Sequence, residues 1–253
     1  MSILEVKNLC KSYKGFDLNN VSFDIPEGTI MGLIGENGAG KSTIINIITN
    51  AVHKNSGTVK LFGVDLENCG PDIWNSIAVV QADCGFPEEL TIKNAESVLK
   101  GIYKNWDSGK FESYIDKLGL DFKKKIKSLS TGMKMKLELA IALSHSARLL
   151  ILDEATNGLD FMARNEILDI LMDFIQDESC GVLLASHIIE DIERICDYIT
   201  FIHNGNVVFS ENKDDLLDKY AIINIDENKL SELDSKAVVY TDKTQYSSKA
   251  LVY

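Results

Sequence analysis

The stretch Gly35-Glu36-Asn37-Gly38-Ala39-Gly40-Lys41-Ser42 constrains this chain more than any other. It fits the phosphate-binding pattern G-x-x-x-x-G-K-[ST]. The residues before it, Thr29–Ile34, are apolar and β-prone, and residues 43–49 read as the first turns of a buried helix. Strand, glycine-rich loop and helix together turn the pattern into a site. Glycines let successive backbone N–H groups turn inward and approach phosphate oxygens closely. The helix N-terminus adds its positive dipole end. Lys41 can reach β- and γ-phosphates, and the Ser42 hydroxyl can ligate Mg²⁺.

With 253 residues, the chain can bury a sizeable core, as one large domain or one domain with subdomains. A net charge of −12 argues against a nucleic-acid partner, because binding a polyphosphate backbone needs concentrated Lys and Arg. The longest aliphatic run, residues 139–143, falls far short of the roughly 20 residues of a membrane span. We therefore expect no bilayer crossing, and the N-terminal MSILEVKNL lacks the basic and apolar regions of a signal peptide. Cys10, Cys69, Cys84, Cys180 and Cys196 have no metal-ligand spacing and are expected to be reduced, as in a cytosolic protein.

Alternation at 3–7 and 20–25 predicts half-buried antiparallel strands ahead of the phosphate loop, with a polar turn at 11–15. Tyr13 in that turn can stack on a nucleobase or sit as a half-exposed loop tyrosine. Ser56-Gly57 reads as a turn before a strand at 58–62, and residues 77–80 read as a buried strand ending at Gln81. Between 82 and 145 the character becomes helical, with helices predicted near 93–103 and 110–118. The run Lys123-Lys124-Lys125 reads as a solvated face. Ser130 is a fitting N-cap for the next helix. A buried strand at 149–152 then ends in two carboxylates, Asp153 and Glu154, costly groups there unless they bind or react. The first suits Mg²⁺, and the second can polarise a water. Asp160 precedes a helix with an apolar stripe at Ile167, Ile170, Leu171, Phe174 and Ile175. A strand at 181–185 leads to His187, which alone reads as a capping or packing histidine more often than a catalytic one. Asn204-Gly205 signals a hairpin, and 211–220 a short acidic helix.

Taken in order, these features resemble the nucleotide-binding subunit of an ATP-binding cassette (ABC) transporter, over residues 3–210. The resemblance implies an α/β fold: a P-loop NTPase core with an antiparallel β subdomain and a helical subdomain at about 82–145. It also implies a cassette domain at 1–220, with 221–253 as a tail or accessory element. Residues 35–43 match Walker A, which makes Gly35, Asn37, Gly38, Gly40, Lys41, Ser42 and Thr43 nucleotide contacts. Tyr13 matches the adenine-stacking aromatic, and Gln81 the Q-loop glutamine that senses Mg²⁺ and the membrane partner. Leu129-Ser130-Thr131-Gly132-Met133 matches the signature usually written LSGGQ, with Ser130 and Gly132 facing phosphate. Asp153 and Glu154 match Walker B and its catalytic glutamate, Asp160 the D-loop, and His187 the switch histidine. Thr131, Met133 and Ala155 depart from the family pattern, while Ser130 and Gly132 keep a hydroxyl and close backbone approach available.

The implied cofactors are ATP and Mg²⁺, the latter held by Ser42, Gln81 and Asp153. The implied partners are a second cassette, identical or paralogous, and transmembrane permease subunits at the inner face of the cell membrane. Thr-Gly-Met-Lys variants of the signature resemble single-cassette bacterial exporters of peptides, antibiotics or lipid-linked compounds. The alternative is a cytosolic cassette ATPase that never meets a membrane, such as an assembly ATPase. Chromosome-associated relatives fit poorly, because the interval between Walker A and the signature is about 90 residues without sustained heptads.

Overall fold

The computed structural model describes residues 1–81, 85–225, 238–243 and 248–252. The elements run β1 (Ser2–Tyr13), β2 (Phe16–Pro26), β3 (Thr29–Ile34), α1 (Lys41–Ile48), β4 (Ser56–Leu61), β5 (Val64–Asp65), α2 (Pro71–Trp74) and β6 (Ile77–Gln81). There follow α3 (Ile92–Ile102), α4 (Ser108–Lys117), α5 (Thr131–Ser144), β7 (Leu149–Asp153), α6 (Phe161–Phe174), β8 (Gly181–Ser186), α7 (Ile189–Ile195), β9 (Tyr198–His203), β10 (Asn206–Asn212) and α8 (Lys213–Lys219). Three further strands are β11 (Ala221–Ile225), β12 (Val238–Lys243) and β13 (Ser248–Val252). The expected Cys84 thiol and the start of the helical segment at 82 lie outside the described residues.

Two sheets build the first unit, Met1–Ser210. A four-stranded antiparallel sheet runs β2-β1-β4-β5, and a six-stranded sheet runs β10-β9-β3-β8-β7-β6. β3 lies inside the second sheet, parallel to both β8 and β9. A strand so placed is covered on both faces, and four of its six residues, Ile30, Met31, Gly32 and Leu33, are buried. α1 contributes Ile44, Ile45, Ile47 and Ile48 to one buried cluster. That cluster joins Leu4, Val6, Leu18 and Ile25 of the first sheet to Met31, Leu33, Ile151 and Leu183 of the second. The phosphate loop is therefore anchored at both ends in the main core.

The strands differ from the sequence expectation in three places. β1 continues through Tyr13 and β2 starts at Phe16, so the turn shrinks to Lys14-Gly15. Register shifts near Val6, Leu9 and Lys11, with Asn8 at φ 49°, break the alternation that would have shown a long strand. Ser56-Gly57 belongs to β4, where Cys10 pairs with Ser56. β6 is the edge of its sheet, and Val79 is exposed, so its apolar run covers only part of the strand.

The segment expected to be helical holds α3, α4 and α5, with Thr91, Asp107 and Ser130 as side-chain N-caps. Lys123, Lys124 and Lys125 are exposed, as a solvated face requires, and Lys125 pairs with Glu89. The second unit is Glu211–Tyr253, so α8 belongs with it, whereas the sequence put the boundary at 220/221. Asn212 caps α8 by accepting from Asp214 and Asp215 N–H, which makes the helix continuous with the residues after 210. A three-stranded antiparallel sheet, β11-β13-β12, completes that unit.

Candidate functional site

The carboxyl ends of the parallel strands converge on the phosphate loop. Register fixes the alignment: Gln81 lies opposite Asp153, Asp153 opposite Ala185, and Ile34 opposite Ser186. The residues following β7 and β8, Glu154 and His187, thus emerge at the same edge as the loop after β3. Ligands of open α/β sheets bind at this edge.

α1 begins at Lys41, two residues earlier than the sequence run suggested, so Lys41 and Ser42 sit in its first turn. Gly40 is the N-cap at φ 118°, a backbone conformation that glycine adopts without Cβ strain. No side chain caps this end, and the first turn carries no acid. Its N–H groups remain available to an anion. Lys41 is buried, and its ammonium donates to the Gly35 carbonyl at 2.6 Å and the Glu36 carbonyl at 3.4 Å. It also stands 3.1 Å from Glu154 Oε1, a close ion pair without aligned hydrogen-bond geometry. A cleft of about 530 Å³ opens here, lined by Gly15, Phe16, Glu36, Asn37, Gly38, Gly40, Lys41, Ser42, Thr43 and Glu154.

Glu154 has φ 53°, in the left-handed region that non-glycine residues rarely occupy. Its N–H donates to the Ala185 carbonyl at 3.0 Å, which holds the turn against β8. Its Oε2 lies 2.6 Å from His187 Nδ1. One carboxylate therefore bridges Lys41 and His187. Beside it, Asp153 Oδ1 is buried without a partner. Burial pushes the Asp153 carboxyl up, the Ser42 hydroxyl pulls it down, Glu154 raises it again and Lys41 lowers it, with a net rise. A buried, unpartnered carboxylate oxygen beside a helical hydroxyl fits a small divalent cation. Among the described residues no cluster of three His, Cys, Asp or Glu side chains stands ready for a metal. Such an ion would therefore take further oxygens from phosphate and water, as magnesium does.

This raised pKa predicts a trade of stability for binding. The native chain holds its Asp153 proton to higher pH than the unfolded chain, so stability falls as pH rises through the native pKa. Asp153→Asn removes that penalty. The nucleotide-free variant should melt higher than the parent at pH 8, and the gap should close as the buffer is acidified. Thermal melts at several pH values read this out, and a parent that melts above the variant at pH 8 would refute it.

Not every expected residue lines the cleft. Tyr13, Gly35, Gln81, Ser130, Gly132, Asp153, Asp160 and His187 are absent from its walls, although Asp153 and His187 stand directly beside Glu154. Tyr13 is 45% exposed, with Lys11 Nζ 5.1 Å from its ring centroid. Ser130 accepts from Met133 N–H at 3.3 Å, which leaves the hydroxyl proton free to donate outward. Asp160 caps α6 through Ala163 N–H at 2.9 Å. A Cβ on Gly132 would meet Leu159 and Ala163 only at ordinary contact distance, 3.6 Å, so packing within the chain does not demand a glycine there. Ser130, Gly132 and Asp160 gather at the starts of α5 and α6 as a second, outward-facing group. Gly15, Phe16 and Glu36 line the cleft without having been singled out in the sequence. Phe16 starts β2 directly after the turn glycine, a placement that the hidden strand register obscured.

A family profile described as ABC transporter matches residues 18–157. The ABC transporter ATP-binding protein YtrB of Bacillus subtilis (strain 168) is 30% identical over 250 residues, spanning 94% of this chain and 85% of its own length. The lantibiotic transport ATP-binding protein SrtF of Streptococcus pyogenes is 36% identical over 219 residues, 84% of this chain and 92% of its own. A solved structure described as the ATP binding subunit of an ABC transporter superposes with a TM-score of 0.77 at 28% identity, covering 85% of this chain and 92% of that one.

Proposed function

The chain belongs to the ABC transporter family of ATP-binding ATPases, and from that premise we propose that it powers export by closing, ATP-bound, against a second cassette. The observation that carries this reading is the bridge Lys41–Glu154–His187 at the phosphate cleft. Phosphate oxygens arriving at the loop compete with Glu154 for Lys41. Once released, the Glu154 carboxylate can accept a proton from water, and His187 holds its other oxygen and steadies the γ-phosphate. Ser42, Asp153 and Gln81 would hold Mg²⁺, which screens charge on the β- and γ-phosphates when bound. Tyr13 stacks on adenine above the Phe16 end of the cleft.

The second group, Ser130, Gly132 and Asp160, serves the nucleotide of the partner cassette, so that two ATP molecules lie in a two-fold interface. Phe161 and Met162, each 75% exposed beside Asp160, suit burial against that partner. The helices of the 82–145 segment take the permease, next to Gln81. The subunit then sits at the inner face of the membrane, and among the described residues no helix is long and apolar enough to cross it. The name of SrtF supports a peptide or antibiotic cargo, and a lipid-like one stays within the same reading. A non-transport assembly ATPase is not favoured by relatives named for transport.

Size-exclusion chromatography of Glu154→Gln with and without Mg²⁺-ATP tests the sandwich. A shift from monomer to dimer with nucleotide is the expected result. Adding Phe161→Glu to that background should return the protein to monomer, because a charge replaces apolar surface at the contact. A Glu154→Gln protein that binds ATP yet stays monomeric would contradict closure by two copies of this chain.

A further inference from the structure

Asp191 is buried to 1% exposure, and both of its oxygens are used. Oδ2 accepts from the Thr156 hydroxyl at 2.6 Å, and Oδ1 from Arg164 Nε at 2.5 Å. Thr156 is also 1% exposed. Each of these residues is close in sequence to a group at the reacting edge. Thr156 follows Glu154 by two positions, Arg164 lies one helical turn after Asp160, and Asp191 lies four positions after His187, in the first turn of α7. Arg164 N–H donates to the Asp160 carbonyl at 3.0 Å, so the α6 end of the hub is tied to the D-loop acid directly. A second clamp joins the same two helices: Arg194 of α7 donates to Asn165 and to Asp169 of α6.

We propose that Asp191 is a positioning residue for ATP hydrolysis, holding the Glu154 loop, the His187 segment and the start of α6 in one fixed arrangement through Thr156 and Arg164. The proposal rests on the roles given above to Glu154 and His187. Its physical basis is the backbone of Glu154. A residue at positive φ persists only where its surroundings over-determine it. Ala185 holds Glu154 from the β8 side, and the Thr156–Asp191 bond holds the outgoing loop from the α7 side. Both tethers lead to the chain that carries His187, since β8 precedes it and α7 follows it. Movement at Asp160, the outward-facing cap of α6, therefore reaches the 2.6 Å contact between Glu154 and His187 through a buried carboxylate whose hydrogen bonds leave no slack.

Thr156→Val keeps the shape of the side chain and removes the hydroxyl, and Thr156→Ser restores the hydroxyl. In steady-state hydrolysis by the full chain, Thr156→Val should lower kcat on the order of tenfold or more. KM for ATP should stay within about twofold of the parent, because the cleft itself is unchanged. Thr156→Ser should recover most of the loss. A purely structural role predicts something else: a lower melting temperature with parental kcat in the folded protein. In a Glu154→Gln background, Thr156→Val should cause no further loss, since the group it positions is already disabled. If Glu154→Gln is inactive and folded Thr156→Val turns over like the parent, the Asp191 proposal alone is overturned. If Glu154→Gln itself keeps parental turnover, the assignment beneath it fails and the proposal falls with it. Should Thr156→Val not fold, Arg164→Gln reads the same hub from α6, and parental kcat in that variant overturns the proposal equally.

Discussion

Glu154→Gln should lower kcat for ATP hydrolysis by about 10²- to 10⁴-fold, the range that a positioned general base supplies. The variant keeps the volume of the side chain and loses its ability to take a proton from water. It also loses the negative charge that sits 3.1 Å from Lys41. Nucleotide therefore no longer displaces a carboxylate to reach the lysine, and ATP affinity should stay the same or rise. Phosphate-release kinetics and equilibrium binding of a fluorescent ATP analogue separate the two effects. Parental turnover would remove Glu154 from the reaction. A large drop in both turnover and affinity would mean that Glu154 shapes the loop rather than the chemistry.

Gly205→Ala should be the most damaging of the small substitutions. Asn204 and Gly205 have φ 47° and 74°, the pair of positive values that a type I′ hairpin turn requires between β9 and β10. An added Cβ at Gly205 would lie 1.8 Å from the Asp17 carbonyl oxygen, inside any permissible contact. The backbone there cannot retreat freely. Gly205 N–H donates to the Ala39 carbonyl of the phosphate loop at 3.0 Å, and its own carbonyl accepts from Asn19 N–H at 2.8 Å. The hairpin tip thus clips β2 to the nucleotide-binding loop. The expected cost is about 3–5 kcal/mol, at the upper end for one substitution. In a unit of this size that corresponds to a melting temperature lower by roughly 10 °C. Gly63→Ala is the control: its φ is 78°, and a Cβ there meets nothing within 4 Å. It should cost only about 1 kcal/mol, the ordinary penalty of a side chain in the left-handed region. Equal melting temperatures for the two variants would show that the steric clash at Asp17 is relieved by a small shift. ATP affinity of Gly205→Ala should fall as well, since Ala39 loses its partner.

The order of the site was legible in the sequence because glycine spacing, apolar strand runs and terminal carboxylates each leave a local signature. Thr29–Ile34, Leu149–Asp153 and Gly181–Ser186 are the strands expected, and Ser130 caps its helix as its residue type predicts. Features that depend on long-range register were hidden. The full extent of β1 and β2 could not be seen because bulges interrupt the period of two on which strand reading depends. Val79 looks like a core residue in its run and is exposed on β6, which among the described residues is the edge of its sheet. The positive φ of Glu154 leaves no trace in composition, since glutamate rarely adopts it. Asp191 was equally silent: an acid in the first turn of α7 looks like an ordinary response to the helix dipole until Thr156 and Arg164 are found against it.

The Lys41–Glu154 ion pair at the cleft has a consequence for selectivity among the anions of the cell. Any anion entering the phosphate loop must first part Lys41 from a carboxylate that is already in place. That opening cost is the same for every visitor, and so it falls hardest on the smallest. Inorganic phosphate or sulfate gains the loop N–H groups and little else. A nucleoside triphosphate would also reach along the cleft toward Phe16 and spread its charge over more donors. With Glu154 in the role proposed above, the carboxylate that serves the reaction would also act beforehand as a resident competitor of small ions for Lys41.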